Sequence, residues 1–227
     1  MVVMTRPQIV PEPTLPFHDR AEAGRLLAAR LAHLAALHPI ILALPRGGVP
    51  IGYEVAHALG AELNLLMVRK LGAPGHSEFA IGAVVDGEEP QVVFNEQAMS
   101  AIGPSRDYVE AELARQLTEM ERRRTAYLGT RGKPALEGRT IIIVDDGIAT
   151  GSTVSAALRG ARQSHPARLV LAAPVAPPDT VDALRPLCDE IVVLATPEPF
   201  IAVGRFYRDF RQVDDREVIE LLDSARS

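Results

Sequence analysis

Only one cysteine, Cys188, and no tryptophan occur in the 227 residues. A lone cysteine cannot build an internal disulfide framework or a cysteine-based zinc site, and it fits a reducing compartment. Aromatic residues make up 4% of the chain, too few for a surface that stacks on strings of bases. Positive charge is also in deficit. Lys and Arg number 24 against 29 Asp and Glu, for a formal net charge of −5, which excludes a general electrostatic grip on nucleic acid. No apolar run approaches the ~20 residues of a membrane span. The longest, residues 39–45 and 169–176, are short and carry prolines. The opening stretch MVVMTRPQIV is broken at once by Arg6 and Pro7, so it has no signal-peptide core. The expectation is a cytoplasmic protein with neither nucleic-acid nor membrane partners. The ATP-binding string GxxxxGK[ST] is absent, as are GxGxxG and GxSxG.

What is present is apolar substance, 47% of the residues, ample for a buried core. The pattern alternates between short apolar runs and helical periods. Residues 21–37 have helical period, with Leu27, Leu31 and Leu34 on one stripe. Residues 40–44 (IILAL) read as a central parallel strand, followed by the turn PRGG and a helix over 51–59 ended by Gly60. A strand is expected over 63–68. Residues 71–79 (LGAPGHSEF) are rich in small and chain-breaking residues and read as a long mobile loop. Residues 81–85 and 91–94 suggest a hairpin around 86–90. A long helix should start near Pro104, with Val109, Leu113, Leu117 and Met120 toward the core. Residues 140–144 (TIIIV) are the clearest buried strand. Then come a helix over 154–163, a strand over 169–173, a helix over 179–187, a strand over 191–194 and a helix near 215–222. The succession predicts an open, mostly parallel α/β sheet with helices on both faces. No break in composition marks a second domain, so residues 1–227 are read as one.

In open α/β sheets, ligands bind beyond the carboxyl ends of the strands. The turn after TIIIV places Asp145 and Asp146 at a strand end and then opens a helix through Gly147, Ala149, Thr150, Gly151, Ser152 and Thr153. Small residues let backbone approach a ligand. Free amides, the helix dipole and hydroxyls favour an anion such as phosphate. The carboxylate end suits sugar hydroxyls or a hydrated magnesium ion. Together they describe a sugar-phosphate site.

The string IIIVDDGIATGST resembles the phosphoribosyl-pyrophosphate (PRPP) signature of the type I phosphoribosyltransferases, and the matching order of elements covers roughly residues 40 to 194. The wider chain, with PRGGVPIG, VRKLGAPGHSEFAIGAV and an extra long helix, is similar to a bacterial group of such proteins. The resemblance implies that Asp145 and Asp146 contact the ribose hydroxyls while Ala149, Thr150, Gly151, Ser152 and Thr153 wrap the 5-phosphate. It makes Arg46, Gly47 and Gly48 a pyrophosphate loop, with a non-proline cis peptide between Pro45 and Arg46. Lys70 of the Arg69–Lys70 pair would add a second pyrophosphate contact, and the loop through Phe79 could close as a lid. His76 and Glu78 lie on that lid and are not assigned a role.

The implied reaction transfers ribose 5-phosphate from PRPP to a nitrogenous base or similar small acceptor, releasing pyrophosphate. Mg2+ accompanies PRPP, with Asp145 and Asp146 as candidate ligands. Hypoxanthine–guanine enzymes place an aspartate just before the TG pair, where this chain has Ala149, which weakens a purine-salvage assignment. A small hood from residues 1–19 and 196–227 should cover the acceptor over a core of about 20–195. Phe200 is the preferred ring for stacking on a base. Asp214 and Asp215 read as a solvated turn, and the ERRR run at 121–124 as an exposed helix end. A homodimer follows from family habit. Two other readings stand beside this one: a PRPP- or nucleotide-sensing module without turnover, and a nucleotide or sugar-phosphate hydrolase, which lacks the His/Asp spacing it would need.

Overall fold

A computed structural model describes residues 13–87 and 89–225. Its centre is a five-stranded sheet of β1 (Ile40–Ala43), β2 (Glu62–Leu65), β6 (Thr140–Val144), β7 (Arg168–Val175) and β8 (Glu190–Ala195). The spatial order is β2-β1-β6-β7-β8, every neighbouring pair parallel. Alternation of side chains sorts each strand between two cores. Ile41, Ala43, Ile142 and Val144 face one core with Leu27 and Leu31 of α1 (Arg20–Leu31) and Val55 of α2 (Gly48–Leu59). Ile40, Leu42, Ile141 and Ile143 face the other with Ala157 and Leu158 of α5 (Ser152–Gln163) and Leu184 of α6 (Pro178–Leu184). Both faces are covered, which is why the strands read as unbroken apolar runs rather than as alternation.

A second, antiparallel sheet consists of β3 (Val68–Ala73), β4 (His76–Val85) and β5 (Gln91–Phe94). It corrects one expectation. Residues 71–79 are not a long loop. They are the end of β3 and the start of β4 joined by a tight turn, paired from Val68↔Val85 to Ala73↔His76 with register shifts around Gly72. Along its other edge β4 approaches β5 closely: a Cβ on Gly82 would lie 2.7 Å from the Val93 carbonyl.

A short helix, α3 (Glu96–Ile102), was not expected from sequence; Asn95 caps it by accepting from the Ala98 amide. The long helix α4 (Arg106–Leu128) begins two residues past Pro104 and is capped by Ser105. Its buried positions include Glu112, Gln116 and Arg124, while Val109, Leu113 and Leu117 are only partly buried. The polar groups are satisfied. Glu112 accepts from the Gly72 amide at 3.3 Å and from Gln116 at 2.9 Å, and Gln116 accepts from Arg69 at 2.9 Å. Arg124, expected on an exposed helix end, is 5% exposed and pairs with Asp86, which also holds Lys133 at 2.8 Å.

The final helix, α7 (Asp215–Ser224), starts at Asp214, whose side chain accepts from the Glu217 amide. The expected meeting of the two chain ends is seen for the described residues: Phe17 pairs in parallel with Tyr207, donating to the Phe206 carbonyl at 2.9 Å and accepting from Arg208 at 2.8 Å. Residues 1–12 of the expected hood lie outside the described residues. Among the described residues no helix is long and apolar enough to cross a membrane.

Candidate active site

The strand order reverses direction between β1 and β6, so their carboxyl ends border the crevice where ligands bind in such sheets. The two loops singled out in the sequence leave from these two strands. They touch. A Cβ on Gly47 would lie 2.1 Å from Asp146 Oδ2, and one on Gly48 would lie 2.6 Å from the Val144 carbonyl. Glycine is required here by the approach of one loop to the other. The Pro45–Arg46 bond is cis. The Gly48 amide donates to the Leu44 carbonyl at 3.0 Å, so it is spent on the turn rather than open to an anion. Arg46 is half-buried and reaches Asp215 at 3.4 Å. Asp215, expected in a solvated turn, also accepts from the Tyr127 hydroxyl at 2.7 Å.

Asp145 and Asp146 end β6 half-buried. Asp145 accepts from the Asp146 amide at 2.9 Å. Asp146 is held by Arg20, Nε to Oδ2 at 2.8 Å, and the Tyr207 hydroxyl donates to its carbonyl. Arg20 in turn donates to the Arg211 carbonyl at 2.8 Å and lies 3.9 Å above the Phe210 ring. Burial, then the neighbouring Asp146 charge, pushes the Asp145 carboxyl well above the usual carboxylate range, with Arg20 and the Asp146 amide acting against them. Burial also raises Asp146, opposed by Arg20. Burial and the same carboxylates raise the Tyr207 phenol, so it stays a hydrogen-bond donor.

The phosphate-loop candidate follows. Gly151 has φ +73° and precedes α5 without any side-chain cap. Among the described residues no side chain accepts a hydrogen bond from the amides of residues 149–153. The Ala149 carbonyl is fixed by Thr180 at 2.9 Å, and the Thr150 and Ser152 hydroxyls are 3.4 Å apart. An uncapped helix start with outward hydroxyls is a ready anion site.

Two cavities adjoin these loops. One, of about 360 Å³, is lined by Arg20, Arg46, Gly47, Asp146, Phe210 and Gln212. The other, of about 600 Å³, lies between α5 and the three-stranded sheet, with Lys70, Phe94, Ser152, Thr153 and Arg159 on its walls. The structure therefore separates the expected pyrophosphate contacts. Arg46 and Gly47 line the first cavity, whereas Lys70 lines the second, beside the phosphate loop. Strand alternation accounts for Lys70: its neighbour Arg69 turns to Gln116 on α4, so Lys70 faces away from that helix.

Phe200, the preferred stacking ring, packs on Phe206 with centroids 4.9 Å apart. The ring that lines the first cavity is Phe210. His76 is exposed at the tip of the β3–β4 hairpin, and the Glu78 side chain lies outside the described residues. Among the described residues no group of three or more His, Cys, Asp or Glu could hold a metal ion by itself. Sequence reasoning missed Arg20, which no local signal marks and which acts across 126 positions. Tyr207 and Phe210 belong to the aromatic concentration near the C-terminus, in which Phe200 is the ring the sequence favours.

A family model described as "Phosphoribosyl transferase domain" matches residues 18–196. Two curated proteins of Mycobacterium tuberculosis, from strains CDC 1551 and H37Rv, are each 44% identical over 209 residues, or 92% of this chain; each bears the name "Putative phosphoribosyl transferase". The chain spans about half of their length, 47%. A crystal structure from Thermus thermophilus is 44% identical, covers 92% of this chain and 98% of its own, and superposes with a TM-score of 0.80.

Proposed function

The chain belongs to the phosphoribosyl transferase family, and from that premise we propose that it transfers ribose 5-phosphate from PRPP to a nitrogenous acceptor, releasing pyrophosphate. One observation supports this above the others: an acid pair, an uncapped helix start and a glycine loop converge at the strand-order reversal. The 5-phosphate takes the open amides and hydroxyls of residues 149–153. Asp145 accepts from the ribose hydroxyls, and Asp146, paired with Arg20, fixes the position of the acid pair. Arg46 meets the pyrophosphate from the first cavity, and Lys70 meets PRPP from the phosphate-loop side.

The acceptor nitrogen forms its bond to the anomeric carbon as the carbon–oxygen bond to pyrophosphate breaks, and that electron pair leaves with pyrophosphate. Positive charge gathers on the ring, near the two carboxylates; negative charge gathers on the leaving oxygens, near Arg46. Mg2+ fits the oxygen character of Asp145, but one free carboxyl cannot hold it alone, so PRPP oxygens must supply most of its ligands. When bound it neutralises charge on the pyrophosphate.

Titration of PRPP with magnesium by calorimetry tests the site. Asp145→Asn should weaken binding about tenfold or more, the scale of a lost charged hydrogen bond. Unaltered binding in Asp145→Asn and Asp146→Asn would reject the assignment. Pyrophosphate release across purines, pyrimidines and pyridine carboxylates then names the acceptor; binding without release for every class would leave a sensor.

A further inference from the structure

The proposed 5-phosphate loop does not end against a wall. It opens into the 600 Å³ cleft between α5 and the three-stranded sheet. Lys70 on β3 and Arg159 on α5 face this cleft from opposite sides, and among the described residues neither forms an ion pair. Arg20, Arg46, Arg122, Arg123 and Arg124, by contrast, all meet carboxylates. Among the described residues the one carboxylate on the cleft wall is Glu96, in the first turn of α3.

The polar groups on α5 follow a spacing. Ser152, Ser155 and Arg159 stand at i, i+3 and i+7, on one helical face. That stripe rises about 10 Å from the phosphate loop. Side chains on a helix lean toward its N-terminus, so the Arg159 guanidinium tilts back toward Ser155 and the loop. A single phosphate needs only the loop itself. A stripe of donors beyond it, facing a second cation across a cleft, suits further phosphates in line with the first.

Resting on the reading of residues 149–153 as the 5-phosphate loop, we infer that the cleft receives the outer phosphates of a polyphosphate chain whose innermost phosphate sits in that loop. Nucleoside 5'-triphosphates have this form. They would compete with PRPP for the loop and for Lys70 and gain Ser155 and Arg159 beyond them, so phosphate-chain length would set inhibition. Arg159 is the specificity-determining residue: it lies outside the PRPP contacts and is exposed.

The test is displacement of PRPP, at fixed magnesium, by adenosine 5'-monophosphate, adenosine 5'-triphosphate and inorganic tripolyphosphate. It is run on the full chain and on Arg159→Gln and Arg106→Gln. Arg106→Gln removes the same charge from the exposed face of α4, where Arg106 pairs with Glu110. The expected result is about tenfold tighter competition by the triphosphate than by the monophosphate, the scale of one charge-assisted contact. Arg159→Gln should abolish that ratio, leave the monophosphate unchanged and leave PRPP affinity intact, while Arg106→Gln keeps the ratio. Tripolyphosphate competing as well as the triphosphate would support the site with free polyphosphate as its source. Equal competition by mono- and triphosphate, or a ratio untouched by Arg159→Gln, overturns the inference while the PRPP site stands. If neither PRPP nor the monophosphate binds, the phosphate-loop reading falls, and this inference with it.

Discussion

The two cavities that adjoin the candidate loops each present two cations, yet they differ in what those cations already hold. In the smaller one Arg20 is locked to Asp146 at 2.8 Å and Arg46 reaches Asp215 at 3.4 Å. In the larger one Lys70 and Arg159 hold no carboxylate among the described residues. A paired, buried cation fixes geometry, because releasing it strands a charge in low dielectric. An unpaired, solvated cation contributes little to the fold and is available to a ligand. Arg20 is thus built into the framework, whereas Arg46, half-buried beside an exposed Asp215, and the two cations of the second cavity stay within reach of a ligand.

That contrast is broken most directly at Arg20. Arg20→Ala leaves Asp146 buried without its cation and removes the cover over Phe210. About 3–5 kcal/mol of stability should be lost, the scale for breaking a buried pair from one side. Arg159→Ala should stay within about 0.5 kcal/mol, as for an exposed position. Denaturant unfolding of the two variants measures both, and comparable losses would erase the distinction. A smaller effect is expected at Gly47→Ala. The added methyl must displace the Asp146 carboxylate, costing about 1–3 kcal/mol as overpacking does. PRPP binding should weaken more than in Gly60→Ser, which meets open space, although that position has φ +59° and carries its own backbone cost. Calorimetry and unfolding on both variants separate the terms.

The smallest and most diagnostic effect concerns protons. Asp145 and Asp146 are raised above their ordinary value of 3.8. The folded protein therefore keeps protons that the unfolded chain releases, and their contribution to stability falls as pH rises from about 3.8 through the raised values. PRPP binding should run the opposite way, strengthening as the carboxylates ionise to accept ribose hydroxyls. The difference between wild type and Asp145→Asn, followed by calorimetry from pH 5 to 8, isolates this dependence. A difference that does not change with pH would remove the acids from recognition.

How far the sequence could be read depended on whether a signal was local. The run TIIIV and the turn behind it were legible because a strand buried on both faces writes itself as consecutive β-branched residues. The acid pair and TGST then sit where β6 ends. By contrast LGAPGHSEF carries loop-like composition yet forms paired strands, with the Gly72 amide held by Glu112 of α4, a partner that no local window reveals. Helix α4 misled in another way. Its apolar stripe is real, but the positions it buries include Glu112, Gln116 and Arg124, which are tolerated because β3 and Asp86 supply their partners. Which cavity Lys70 would face, and that Arg20 would reach Asp146, depend on tertiary placement alone.

The stitching of Phe17 to Tyr207 places a requirement on biosynthesis. Arg20 cannot bond the Arg211 carbonyl, 191 positions downstream, while that residue is still inside the ribosome. The β1–β6 crevice can assemble from earlier segments as the chain emerges. Its roof has to wait until Arg211 has emerged, so a polypeptide cut short before that point would carry the acid pair without the carbonyl that anchors its arginine.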